Sequence, residues 1–135
     1  MIVDTSVILS AFFPDEDQAL VREHVMGHVE LVAPTPLLYE VTNAVVQTRR
    51  RGRVSDEQAE NIPSSFEGLG IVLRPVDWQQ MLPLALRFGR SAHDAAYLAL
   101  AEASGQPLIT GDRRLYHAVR EHPNWVQGIG DGPQA

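Results

Sequence analysis

Apolar residues along this chain fall into two rhythms. Short unbroken runs closed by turn formers alternate with longer stretches in which apolar positions recur every three or four residues. The first rhythm predicts buried strands and the second amphipathic helices. Ile2-Val3 opens the chain as a strand that stops at Asp4, Thr5 and Ser6, Val7 to Phe13 is a short helix limited by Pro14, and Asp15 to Met26 is a more polar helix closed by Gly27. Glu30 to Ala33 is a second strand, which Pro34 and Pro36 are expected to stop. Leu38, Val41, Val45 and Val46 then recur at helical spacing up to the run Arg49-Arg50-Arg51-Gly52-Arg53, which predicts a buried helix with a basic C-terminal end.

Ser55-Asp56-Glu57-Gln58 has the form of a capping box and starts the next helix, which Pro63 is expected to limit or kink. Ile71 to Leu73 is a third strand, and Asp77 caps a helix running to about Phe88 in which Pro83 is tolerable only near the first turn. Ser91-Ala92-His93-Asp94 opens the most apolar helix, with Ala95 to Ala101 almost wholly apolar and Gly105 as its stop. Gln106 to Thr110 is a fourth strand, Gly111-Asp112 a turn, Arg113 to Glu121 a short helix and Trp125-Val126 a weak fifth strand, with Gly128 to Ala135 as a flexible tail. Strands separated by helices predict an α/β fold: a three-layer α/β/α sandwich with a central parallel sheet of four or five strands and right-handed crossovers. No repeat or linker interrupts the 135 residues, which fit one domain around one core.

Composition then removes whole classes of chemistry. There is no cysteine, which excludes disulfides, thiolate metal sites and a cysteine nucleophile. All 11 basic residues are arginine, so a P-loop lysine and Schiff-base chemistry are also excluded. No apolar run approaches the roughly 18 residues of a membrane span. The N-terminus shows neither a basic n-region nor an apolar h-region, so a cytoplasmic location is expected. A net charge of −6 argues against a broad nonspecific nucleic-acid surface and suits a bound cation equally well.

Four acids stand at apolar boundaries, and each has a structural alternative. Asp4 ends the first strand and could simply cap the helix that follows. Glu40 lies in the apolar run of Leu37 to Val46 and could be a solvated surface residue, with Asn43 on the same helical face to orient it. Asp94 sits on the first turn of the most apolar helix, where Ser91-x-x-Asp94 could be only a capping box. Asp112 follows the fourth strand as Asp4 follows the first, and could be only a turn residue. In a parallel sheet, Asp4 and Asp112 leave adjacent central strands on the same edge, and Asp94 opens the helix that precedes the strand leading to Asp112. Carboxylates that close repel one another and raise each other's pKa unless a cation compensates. Oxygen ligands without cysteine or a histidine cluster suit Mg²⁺ or Mn²⁺, and the chemistry such sites do best is phosphodiester hydrolysis.

Four segments together resemble the PIN-domain ribonucleases, and within them the VapC-type toxins of toxin–antitoxin pairs: Ile2-Val3-Asp4-Thr5-Ser6, Tyr39 to Ala44, His93 to Ala101, and Leu108 to Leu115. The resemblance implies an acidic pocket of Asp4, Glu40, Asp94 and Asp112 that binds Mg²⁺ or Mn²⁺ and cuts RNA, lined by Thr5, Ser6, Asn43 and Thr110. It also implies a homodimer and a VapB-like antitoxin partner. His93 departs from the family, which often carries an aromatic or another residue before the acid. Candidate RNA-binding arginines are Arg49, Arg50, Arg51, Arg53, Arg113 and Arg114, although cations at a helix C-terminus are favoured by its dipole in any case. A DNA or flap nuclease shares the metal logic, and a non-catalytic protein-binding module shares the fold.

Overall fold

The computed structural model describes residues 1–12, 30–122 and 124–128. The helix expected over Asp15 to Met26 lies outside them, as does the expected tail beyond Gly128. In chain order the described elements are β1 (Ile2–Val3), α1 (Thr5–Phe12), β2 (Val32–Pro34), α2 (Leu37–Arg50), α3 (Asp56–Glu67) and β3 (Val72–Arg74), followed by α4 (Trp78–Phe88), α5 (Ala92–Ser104), β4 (Leu108–Thr110), α6 (Arg113–Val119) and β5 (Val126–Gly128).

The strands form one five-stranded, all-parallel sheet in the order β3-β2-β1-β4-β5. Successive side chains of a strand point to opposite faces. In β1 both Ile2 and Val3 are 0% exposed, and in β4 so are Leu108 and Ile109. Both faces of the central strands are therefore covered, as the three-layer reading requires. α5 supplies much of that cover: all seven residues from Ala95 to Ala101 are buried, and the helix packs on β1, β2 and β4.

Several boundaries differ from the pattern-based expectation. Pro34 does not stop β2 but closes it, in register with Arg74, and pairing continues through the Thr35 N–H to the Arg74 carbonyl at 3.0 Å. Pro63 and Pro83 both lie inside helices that run on past them. Only Leu37 and Val41 of α2 are buried, and Leu38 and Val46 are exposed, so the helix expected to be buried covers the core with one narrow stripe. Gly128 belongs to β5, paired with Thr110, and not to a tail. The capping box at Ser55 forms as read: its hydroxyl accepts from the Gln58 N–H at 3.1 Å while the Gln58 side chain accepts from the Ser55 N–H at 2.8 Å.

The chain builds outward from β1 in one direction to β2 and β3, and in the other to β4 and β5. The strand order thus reverses between β1 and β4, which in an open parallel sheet opens a crevice beyond the C-terminal strand ends. Asp4 and Gly111-Asp112 are the residues that leave those two strands.

Candidate metal centre

Asp4 is the innermost acid, 7% exposed, and is one of two buried polar residues among those described, the other being Thr110. Its Oδ1 accepts from the Ser6 hydroxyl at 2.5 Å and from the Val7 N–H at 3.2 Å, and its Oδ2 accepts from the Thr110 hydroxyl. The helix-capping alternative and the rim placement are therefore both realised, because one carboxylate caps α1 and also faces β4. These partners are neutral. Burial pushes the Asp4 carboxyl up to about 6, against the hydrogen bonds that favour its charge and with a further push from the nearby Asp112.

The hydroxyls around Asp4 knit the two strand ends together. Ser6 Oγ accepts from the Gly111 N–H at 2.9 Å, and Thr110 Oγ1 accepts from the Asp112 N–H at 2.9 Å. Asp112 caps α6 through Oδ1, which takes the Arg114 and Leu115 N–H groups at 2.9 and 3.2 Å. Its Oδ2 stands 3.7 Å from Arg90 Nη2. The turn-residue alternative thus accounts for one oxygen of Asp112, and the other faces the site.

Glu40, on the first turn of α2, is no solvated surface residue. Its side chain is 18% exposed, with Oε2 accepting from the Thr5 hydroxyl at 3.1 Å and Oε1 from the Tyr97 hydroxyl at 3.3 Å. His93 Nδ1 is 3.7 Å from the same Oε1. Burial raises the Glu40 pKa, and the Asp94 charge adds to the rise. Tyr97, buried on α5, is itself held above its ordinary pKa by burial and by the Glu40 charge, so it serves Glu40 as a neutral donor. Asn43, expected to orient Glu40, is exposed, and Glu40 is held by Thr5, Tyr97 and His93 instead.

Asp94 does not complete a capping box. Ser91 Oγ accepts from the Asp94 N–H at 3.2 Å, but the Asp94 carboxylate turns to Arg90, whose Nε and Nη2 lie 2.9 and 2.8 Å from Oδ2. Tyr97 and Arg90 are the two site residues that pattern reading missed. Tyr97 lies one turn after Asp94 and could have been placed on its helical face; Arg90 carries no motif.

Of the residues expected to line the pocket, Thr5, Ser6 and Thr110 are each bonded to an acid. The arginines divide. Arg113 and Arg114 occupy the first turn of α6 directly after Asp112. Arg49 and Arg50 end α2, about 14 Å along the helix axis from Glu40. Arg51 and Arg53 follow them, and Arg49 is paired with Asp56.

A divalent cation suits the donor set by its chemistry: four carboxylates at one sheet rim, one of them buried with only neutral partners. The acids couple as two pairs, Asp4 with Asp112 and Glu40 with Asp94. Among the described residues, no three of them are gathered tightly enough, as the side chains lie, to clasp one ion.

A PIN domain family model matches residues 1–121 of this sequence. The chain belongs to the PIN domain family. Its relatives include ribonuclease VapC3 of Pyrobaculum aerophilum, 32% identical over 119 residues that span 85% of this chain and 91% of that protein. Ribonuclease VapC12 of Mycobacterium tuberculosis is 30% identical over 115 residues, spanning 85% of this chain and 88% of that protein. The crystal structure of PAE2754 from Pyrobaculum aerophilum superposes with a TM-score of 0.69 at 22% identity, covering 95% of this chain and 87% of that one, and shares the fold. The five-stranded parallel sheet is thus that of a PIN domain.

Proposed function

We propose that this PIN domain is a metal-dependent endoribonuclease and the toxin of a type II toxin–antitoxin pair, using Mg²⁺ or Mn²⁺ held by Asp4, Glu40, Asp94 and Asp112. The observation that supports the reading is that these acids, from four separate segments, lie as two neighbouring pairs, Asp4 with Asp112 and Glu40 with Asp94, with Arg90 between Asp94 and Asp112 where the strand order reverses. Similarity to two proteins named as ribonucleases supports RNA as the substrate.

A bound divalent ion would activate water and neutralise charge on the phosphoryl group. The chain's own residues supply the rest. Ser6 and Thr110 fix the Asp4 oxygens, so that the buried acid cannot rotate away. Thr5 and Tyr97 do the same for Glu40 from two different helices. Arg113 and Arg114, exposed beside Asp112, would meet the RNA backbone next to the acids. The α2 arginines would reach a more distant part of the same strand.

Two exposed apolar surfaces support protein partners. A groove of about 460 Å³ runs between α2 and α3, lined by Leu38, Val41, Val45, Ile62 and Phe66, with Leu38 and Val41 flanking Glu40 in sequence. It suits the apolar segment of an antitoxin that also covers the acids. On α4, Trp78, Leu82 and Leu86 are exposed at 68%, 52% and 74%, one per turn, a stripe suited to a second copy of the chain. No helix among the described residues is long and apolar enough to cross a membrane.

The direct test is cleavage of a labelled structured RNA with Mn²⁺ and with EDTA. Cleavage that stops in chelator and returns with excess Mn²⁺ is expected, whereas full activity in EDTA contradicts the metal reading. Running single-stranded, duplex and flap DNA in parallel separates a DNA nuclease from a ribonuclease. A protein-binding module of the same fold would cut none of them.

A further inference from the structure

Arg90 lies in the short link between α4 and α5, yet it reaches the acids. Gly89 ends α4 in the left-handed conformation at φ 61°, and the Arg90 N–H closes on the Ala85 carbonyl at 3.0 Å, so the backbone at this corner is held. From there the guanidinium contacts Asp94 Oδ2 at 2.8 and 2.9 Å and stands 3.7 Å from Asp112 Oδ2. Its side chain is 21% exposed, against 54% for Arg49 and 51% for Arg74, which pair with single surface acids.

We propose that Arg90 is an exchangeable counter-ion of the site: its guanidinium occupies Asp94 and Asp112 until a divalent cation takes those carboxylates, and it then binds a phosphate of the RNA. The inference rests on the metal-dependent reading above. The Asp94 contact is a charge-assisted hydrogen bond, but 3.7 Å to Asp112 is too long for one, so Asp112 is only partly engaged. A cation on the same acids and the guanidinium repel each other across a few ångströms. Arginine cannot relieve this by losing its proton. It can move, since its stem is flexible and partly exposed, and it can take a new anion. A phosphodiester fits that role, because its oxygens match the fork of the guanidinium. A purely structural ion pair makes the opposite prediction: losing it would loosen Asp94 and weaken cation binding.

The test uses the full chain as wild type, Arg90→Gln and Arg90→Lys. Mn²⁺ is titrated calorimetrically into each metal-free protein. Binding of a fluorescein-labelled single-stranded RNA in Ca²⁺ is followed by anisotropy at several salt concentrations, with the RNA checked on a gel. Arg90→Gln is expected to bind Mn²⁺ about tenfold tighter, with a competing charge removed. Arg90→Lys, which keeps the charge, should stay near wild type. In Arg90→Gln the slope of log affinity against log salt should shrink by about 0.7, the value for one phosphate contact on a single strand. Unchanged or weaker Mn²⁺ binding by Arg90→Gln overturns the exchange, and an unchanged salt slope overturns the phosphate role. Absence of Mn²⁺ binding by wild type as well would overturn the metal-dependent reading and this inference with it.

Discussion

At the scale of single residues, Asp4 carries two demands that oppose each other. Its burial suits a cation-binding group and penalises a bare carboxylate, which is why its pKa rises from 3.8 to about 6. Between those values the folded state holds a proton that the unfolded state has lost. Stability of the metal-free protein therefore falls as pH rises through that window, by on the order of 3 kcal/mol once both states are ionised. Asp4→Asn removes the charge and keeps most of the shape. It should abolish RNA cleavage while making the protein in EDTA more stable than wild type at pH 8, with the difference shrinking toward pH 4. Urea denaturation at the two pH values measures this, and a large loss of stability at pH 8 would mean that capping α1 is the residue's main work. The strand-terminal position of Asp4 was legible from Ile2-Val3-Asp4 alone. That its oxygens would be claimed by Ser6 and Thr110, 106 residues apart in the latter case, was not, because such a bond depends on which strand becomes its neighbour.

At the scale of elements, α5 holds the site to the core. Its seven buried residues fix the helix against the sheet, and Ser91 fixes its first turn by accepting from the Asp94 N–H. Ser91→Ala should cost about 1 kcal/mol as a lost N-cap. Because the cap and Asp94 share that turn, the variant should also bind Mn²⁺ more weakly, as calorimetry would show. Unaltered affinity together with the expected loss of stability would mean that packing alone sets the position of Asp94. Helix identity was well marked in the sequence where caps were strong, as at Ser55 and Ser91. It was less well marked at proline. Pro83 lies in the middle of α4 because the helix buries Leu84 and packs along α5, and that packing outweighs one missing hydrogen bond. Pro34 is tolerated in β2 because it is the strand's last residue, where one missing N–H interrupts little.

At the scale of the whole molecule, the two apolar surfaces are separate features. The stripe on α4 and the groove between α2 and α3 should fail independently. On the proposal that the α4 stripe joins two copies, light scattering should find wild type dimeric and Leu82→Glu monomeric, with the fold intact because Leu82 is half exposed. Val46→Glu, in the groove, should leave the dimer unchanged and reduce retention of the protein encoded by a neighbouring reading frame when the two are co-expressed. Loss of dimer in Val46→Glu and not in Leu82→Glu would reverse the assignment of the two surfaces.

Several features followed from the order of residues alone. Runs such as Leu108-Ile109-Thr110 are short, apolar and closed by turn formers, so strand and helix alternation, the α/β class and the candidate acids could be read without knowing any contact. What only the tertiary structure decided is which groups face each other. Strand order put β1 beside β4, and so put Asp4 beside Thr110 and Asp112. The relative placement of α5 and α2 set Tyr97 on Glu40, and the turn at Gly89 brought Arg90 onto Asp94. Periodicity reports the face a residue presents, a local property of backbone geometry. Partnership depends on the relative placement of distant segments, which the burial of the whole core determines at once.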